Sequence, residues 1–217
     1  EGNLASHGTP MRRLIESGAI PGTRFVQVGL RGYWPGEEDQ RWMRENGLRH
    51  IMMQEVWERG THAVLEELIR AVRATGDKVY ISIDIDVLDP AFAPATGTPE
   101  PGGFATIDLL RIVRTSPPDI ILLSEWFHNT DLLAAIDEVR LAVPFARLIV
   151  TGTLSEGLHI RDLLASGVTG YLCKRDRLRD VLIPAIDTVM ANRPYLSPTA
   201  NMNYLLAMQS PLRDWQL

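Results

Sequence analysis

The chain has 217 residues, 45% hydrophobic and 23% charged, with a net charge of −5. That length suits one large domain or two small ones around a buried core, and the acidic balance excludes a general attraction to nucleic acid. A single cysteine, Cys173, excludes an internal disulfide; with no membrane-length apolar run and no secretory signal, a cytoplasmic protein without a membrane partner is expected. The chain opens on Glu1 and not on Met, which implies processing or a longer parent.

In chain order, Ser6-His7-Gly8-Thr9-Pro10 precedes a helical pattern at 11–15 that Gly18 closes. A histidine in such a turn is ordinarily a turn residue. Residues 24–32 read as a short strand ending in glycine, and 33–36 follow as a loop. Residues 37–46 read as a helix closed by Gly47, and 49–56 as a second strand with Ile51 and Met53 facing one way. Residues 60–75 place Val64, Leu65, Leu68, Ile69 and Val72 at helical spacing before Gly76. His50 reads as strand surface and His62 as an exposed first-turn residue; neither has ligand spacing.

Residues 78–103 read KVYISIDIDVLDPAFAPATGTPEPGG. Val79, Ile81, Ile83 and Ile85 alternate with Tyr80, Ser82, Asp84 and Asp86, a period of two that predicts a strand. Asp84 and Asp86 then point to the same side. Two adjacent carboxylates are costly unless a cation or a shared proton lies between them, and oxygen ligands suit Mg, Ca or Mn. An isolated Asp-x-Asp is more often a turn or cap pair. The Pro- and Gly-rich run after Asp89 reads as a loop at the C-terminal end of the strand, where open α/β sheets bind ligands.

The run from Ser82 to Gly103 resembles the second metal motif and substrate loop of the ureohydrolase family, which includes arginase and agmatinase. SHGTPMRR at 6–13 resembles that family's SHGTPFRR segment, and RFVQVGLRG at 24–32 its TVQIGIRG strand. The resemblance covers residues 1–103. It implies hydrolysis of a guanidino C–N bond with release of urea, by a hydroxide held on two Mn ions, and a guanidino small molecule as partner. It assigns Asp84 and Asp86 to metal, His7 to proton transfer and Glu100 to the guanidinium charge. Ala95 stands where the family usually has glycine, and a positive φ there would strain the loop. The family's remaining ligand motifs, Gly-Gly-Asp-His and Asp-Ala-His-x-Asp, do not occur in these residues. A lone pair of aspartates holds Mn weakly, with water completing the shell. Mn is therefore expected to be weakly bound or absent, and the chain alone to hydrolyse little.

From Phe104 the pattern changes. Residues 107–114 are helical, Pro117-Pro118 break the helix, and 119–123, 147–151 and 169–173 read as apolar strands. Residues 131–141, 155–166 and 177–190 read as the intervening helices. PPDIILL, RLIVTGT, LLASGVTGYLCKRD and AIDTVMANRPYLSP resemble the later part of a response-regulator receiver domain. The first receiver strand and its acidic pair are missing from the match, and Ser124 stands where the phosphate-accepting aspartate belongs. Thr151 and Lys174 match the switch hydroxyl and the phosphate-contacting lysine. The resemblance implies a receiver-like interaction module without phosphotransfer, of a kind that often forms a homodimer. The tail at 199–217 spaces Met202, Leu205, Leu206 and Met208 as a short amphipathic helix, with no basic recognition helix for nucleic acid.

Three segments result: a ureohydrolase-like βα segment at 1–103, a receiver-like, flavodoxin-like βα segment at 104–198, and a tail at 199–217. The expected fold is α/β, a three-layer αβα arrangement with an open, mostly parallel sheet of about six strands and helices on both faces. Three strands would come from each side of Gly103, one cut sheet edge pairing with the other. Two poorly closed half-domains, or a homodimer through the cut edges, are the alternatives. Such a joint implies a chimera, either an impaired agmatinase-like ureohydrolase or a non-catalytic receiver-like module.

Overall fold

The computed structural model describes residues 9–33, 35–76, 78–125, 132–153 and 157–209. The chain divides into two compact units, one up to Ile112 and one from Val113 on.

In the first unit, α1 (Pro10–Glu16) begins on a proline, whose missing N–H is an orphan donor there in any case. Helix α2 (Glu37–Glu45) opens with Glu37, Glu38 and Asp39, which suit the positive end of its dipole. Strands β1 (Val26–Leu30) and β2 (Arg49–Met52) pair in parallel, with an irregularity between Val28 and Leu30. It falls at Gly29, whose φ is +94. A Cβ there would come within 2.6 Å of Val87 Cγ2, so the bulge needs glycine. Strand β2 is shorter than its apolar pattern predicts. At Met53 the chain enters α3 (Met53–Arg59) and then, past Gly60, α4 (Thr61–Ala74). Met53 and Val56 are buried, but from a helix. They join Ile51, Val64, Leu88 and Phe104 in one apolar cluster, and Ile15, Met43 and Leu48 form a second.

The alternating stretch at 79–85 does not form a strand. Among the described residues it belongs to no sheet, and its apolar side chains are between 48% and 79% exposed. Alternation supplies only a preference for extended backbone; a ladder also needs a neighbouring strand. The chain instead makes a 3-10 turn at Ile85–Val87 and loops back, so that Leu88 bridges Phe104 in parallel. Helix α5 (Thr106–Thr115) follows, with Leu109 against the first cluster.

The second unit contains β3 (Ile120–Ser124), α6 (Leu132–Ala142), β4 (Arg147–Gly152), α7 (Gly157–Ala165), β5 (Gly170–Cys173), α8 (Leu178–Met190), β6 (Tyr195–Leu196) and α9 (Pro198–Gln209). The strands form one parallel sheet in the order β3-β4-β5-β6. Leu148, Val150, Tyr171 and Cys173 pack with Ile136 of α6, Ile160 of α7 and Ala200 of α9. Their neighbours Ile149 and Leu172 pack with Val181, Ala185 and Val189 of α8. That alternation puts helices on both faces. Every residue of β5 is buried, as a central parallel strand requires. Helices α7 and α9 approach closely at Gly157, where a Cβ would come within 2.3 Å of Asn203 O. Met202, Leu205, Leu206 and Met208, the apolar set of the tail, are exposed, and α9 packs through Ala200 and Tyr204.

The class is thus mixed α/β with parallel sheets and helices on both faces. The six strands lie, among the described residues, in sheets of two and four and not in one sheet of six. Residues 79–85 would have been the third strand of the first half but carry no ladder, and the two-residue β6 extends the second sheet. No helix among the described residues is long and apolar enough to cross a membrane.

Candidate functional site

The Gly- and Pro-rich loop after the acidic pair is shaped by two residues that sequence patterning did not single out. Arg31, half-buried just past β1, donates from Nη2 to the carbonyls of Asp86 at 2.7 Å, Leu88 at 3.0 Å and Glu100 at 2.8 Å. Its Nε donates to Glu100 O at 3.0 Å and its Nη1 to Gly29 O at 3.3 Å. One guanidinium, with five donors in a rigid fork, thus fixes both ends of the loop. Asp89 closes the loop from the other side: its Oδ1 accepts from Ala91 N at 2.9 Å and its Oδ2 from Gly102 N at 2.7 Å. These backbone amides, with the nearby Arg31 charge, hold the Asp89 carboxyl below its usual range. Gly103 sits where the strands of the loop touch; a Cβ there would come within 2.5 Å of Asp89 N. The available signals were a charged residue at a strand end beside Gly32 and an Asp-Pro turn.

On this frame Asp84 is exposed and Asp86 half-buried, and Thr98 Oγ1 donates to Asp86 Oδ2 at 2.6 Å. The Glu100 carboxyl lies over Gly32, where a Cβ would come within 2.7 Å of Glu100 Cδ. Asp86 and Glu100 therefore belong to one loop, tied through Arg31. His7 lies outside the described residues. Ala95 does not have the positive φ that would strain it; Asn192 is the non-glycine residue so placed among those described. Asp84 and Asp86 have the chemistry of hard-cation ligands. No cluster of three or more His, Cys, Asp or Glu side chains able to hold a metal exists among the described residues. That donor set does not fit a two-metal centre.

A second group of polar side chains gathers at the C-terminal ends of β3, β4 and β5. Lys174 Nζ lies 3.2 Å from Ser124 Oγ, and Thr151 Oγ1 3.5 Å from Leu123 O. Ser124 and Thr151 are opposite one another in the ladder. The three positions picked out in the sequence are thus neighbours. Glu125 was not foreseen: it accepts from Thr153 Oγ1 at 2.8 Å and from Tyr171 OH at 2.9 Å, over Gly152. Below this edge Asp176 accepts from Thr199 Oγ1 at 2.6 Å. Burial pushes the Asp176 carboxyl up, but hydrogen bonds from Ser197 and Thr199 outweigh it and leave it below its usual range.

These features define a parallel α/β protein with an acidic pair leading into an arginine-clamped loop. The chain belongs to the arginase family, whose model matches residues 1–123, more than half of it. The match runs past Phe104 and through most of β3. The family generally depends on a binuclear manganese centre. Guanidinopropionase of Pseudomonas aeruginosa is 47% identical over 143 residues, 66% of this chain and 41% of that protein. Guanidinobutyrase of the same organism is 44% identical over 115 residues, 52% of this chain and 35% of that protein. The chain thus spans less than half the length of these curated relatives. Among solved structures, a LuxR-family two-component response regulator from Aurantimonas sp. SI85-9A1 matches with a TM-score of 0.42 at 19% identity, covering 49% of this chain and 75% of that one. That likeness assigns no family to the second unit.

Proposed function

We propose that this chain carries the substrate-loop part of a guanidino-compound ureohydrolase, and that these 217 residues alone hydrolyse such compounds little or not at all. The observation that carries the proposal is the Arg31 clamp, which sets Asp86 and Glu100 in one loop, while no group of three or more metal-binding side chains gathers among the described residues. Glu100 supplies a carboxylate for the guanidinium charge, a favourable charge-assisted pairing. His7 supplies the proton-transfer group. A bound metal pair supplies a hydroxide nucleophile at neutral pH; with this donor set no hydrolytic step is assigned. The printed names of the relatives support a guanidino acid or amine as the substrate class. Calorimetric titration with Mn(II) tests the donor count. Two carboxylates predict at most one site, with Kd on the order of 0.1–1 mM as in weak oxygen-ligand sites, lost in Asp84→Asn. Two tight sites would overturn the proposal.

One contact favours a second reading for the other unit, a receiver-like module without phosphotransfer. Lys174 meets the Ser124 hydroxyl where an acceptor carboxylate would stand. Intact mass after incubation with acetyl phosphate should show no phosphoryl adduct; an adduct mapped to this strand edge would refute it.

A further inference from the structure

We infer that the second unit carries a binding site for a small organic carboxylate with an apolar body. It lies at the amino-terminal edge of the sheet, the edge away from Ser124, Thr151 and Lys174. A cleft of about 420 Å³ opens there, where β4 and β5 begin and α7 and α8 end. Its rim carries Arg147 at the start of β4, with Asn192 and Arg193 in the turn after α8; Leu164, Val168 and Val189 form its apolar wall. Among the described residues no acidic side chain lines it. A mostly apolar cavity of this size with a few convergent polar groups is the usual form of a small-molecule site. The residues come from the second unit alone, so nothing in the site rests on the hydrolase reading.

Arginines gather at such an edge for an ordinary reason, since the carbonyl ends of helices attract cations. Arg140 serves α7 in that way, donating from Nη1 to Ser166 O at 2.8 Å. Arg147 and Arg193 do not. Arg147 donates from Nη2 to Asn192 Oδ1 at 2.9 Å, its buried Nε meets no acceptor, and neither guanidinium forms an ion pair among the described residues. Asn192, in the left-handed conformation at φ +58, follows the end of α8 and presents that oxygen. Two like charges on one cleft without a counter-charge favour an anion there. The donors decide which anion. The backbone amides of residues 167, 168, 169, 192 and 193 already donate to carbonyls of the protein. No nest of amides is left for a phosphate, and the helix carbonyl ends oppose a dianion. What remains is planar guanidinium N–H groups, whose fork matches a carboxylate, beside a wall that takes an apolar body.

The test is a titration of the full 217-residue chain with benzoate at neutral pH, followed by amide NMR shifts. Saturable shifts should map to residues 164–169 and 189–193. Acetate has the charge without the ring, and benzamide the ring without the charge. Each should bind at least about tenfold more weakly than benzoate, and so should inorganic phosphate. Arg193→Gln should weaken benzoate at least about tenfold, because it removes a charge-assisted fork. Arg179→Gln, which changes an exposed arginine near the other end of α8, should leave the affinity as it is. Arg193 is exposed, so its variant should fold, which circular dichroism checks. Shifts that do not saturate, or that map outside these two stretches, overturn the inference. So does acetate, phosphate or benzamide binding as tightly as benzoate, or an Arg193→Gln variant that binds benzoate as the wild type does.

Discussion

The guanidinium of Arg31 donates twice to the carbonyl of Glu100, from Nε at 3.0 Å and from Nη2 at 2.8 Å, joining positions 69 residues apart. The same nitrogen, Nη2, reaches Asp86 O and Leu88 O. A loop rich in proline and glycine has few backbone partners of its own, so this one side chain substitutes for the ladder that the segment lacks. Glu100 and Asp86 owe their common placement to it.

Replacing Arg31 by alanine should loosen the loop without unfolding the unit. Hydrogen bonds from a charged group contribute about 1.5–3 kcal/mol, so amide exchange at Asp89, Gly102 and Phe104 should accelerate about ten- to hundredfold. Arg31→Lys should recover little, because an ammonium lacks the planar fork. Unchanged exchange at these three amides in Arg31→Ala would show that the loop is held by Asp89 and Gly103 alone.

Acid should weaken the packing of α4 on its neighbours in a defined window. The Glu67 carboxylate accepts from Arg49 of β2 and Arg59 of α3, and these two hydrogen bonds push its pKa from 4.5 down to about 2. The folded-state value lies below the unfolded one, so the stabilisation is fully present above pH 4.5 and is lost as pH falls toward 2. Thermal melts of wild type and Glu67→Gln should therefore differ above that window and converge within it. Two curves that stay parallel down to pH 2 would mean that the carboxylate contributes nothing through its charge. The group is on the surface, so salt should shrink the difference as well.

Most helices were legible because their signals are local. The apolar spacing of α4 and the glycines after α1 and α2 mark those elements to within a few residues, whereas α3 was read as strand. The misread strands have a common cause, since a strand is decided by what lies beside it. Residues 79–85 alternate as a strand does but find no partner, and the apolar run from Arg49 changes to helix at Met53, where burial on α3 satisfies the same side chains. At the candidate sites, Asp84, Asp86, Glu100, Ser124, Thr151 and Lys174 could be named from motifs. Arg31 lies in the quoted strand motif, but its clamp on the loop could not be read there, because its partners are backbone carbonyls that leave no trace in side-chain identity. Glu125 could not either, because its role depends on Tyr171, 46 positions away.

The proposed reading gives this chain a ureohydrolase-type loop with too few metal donors, among the described residues, to support hydrolysis. Urea release from guanidinopropionate, guanidinobutyrate and agmatine, with Mn(II) in excess, is the decisive measurement. The rate should be indistinguishable from that of the Asp84→Asn variant. Sustained urea production by the 217-residue chain, abolished by Asp84→Asn, would contradict it.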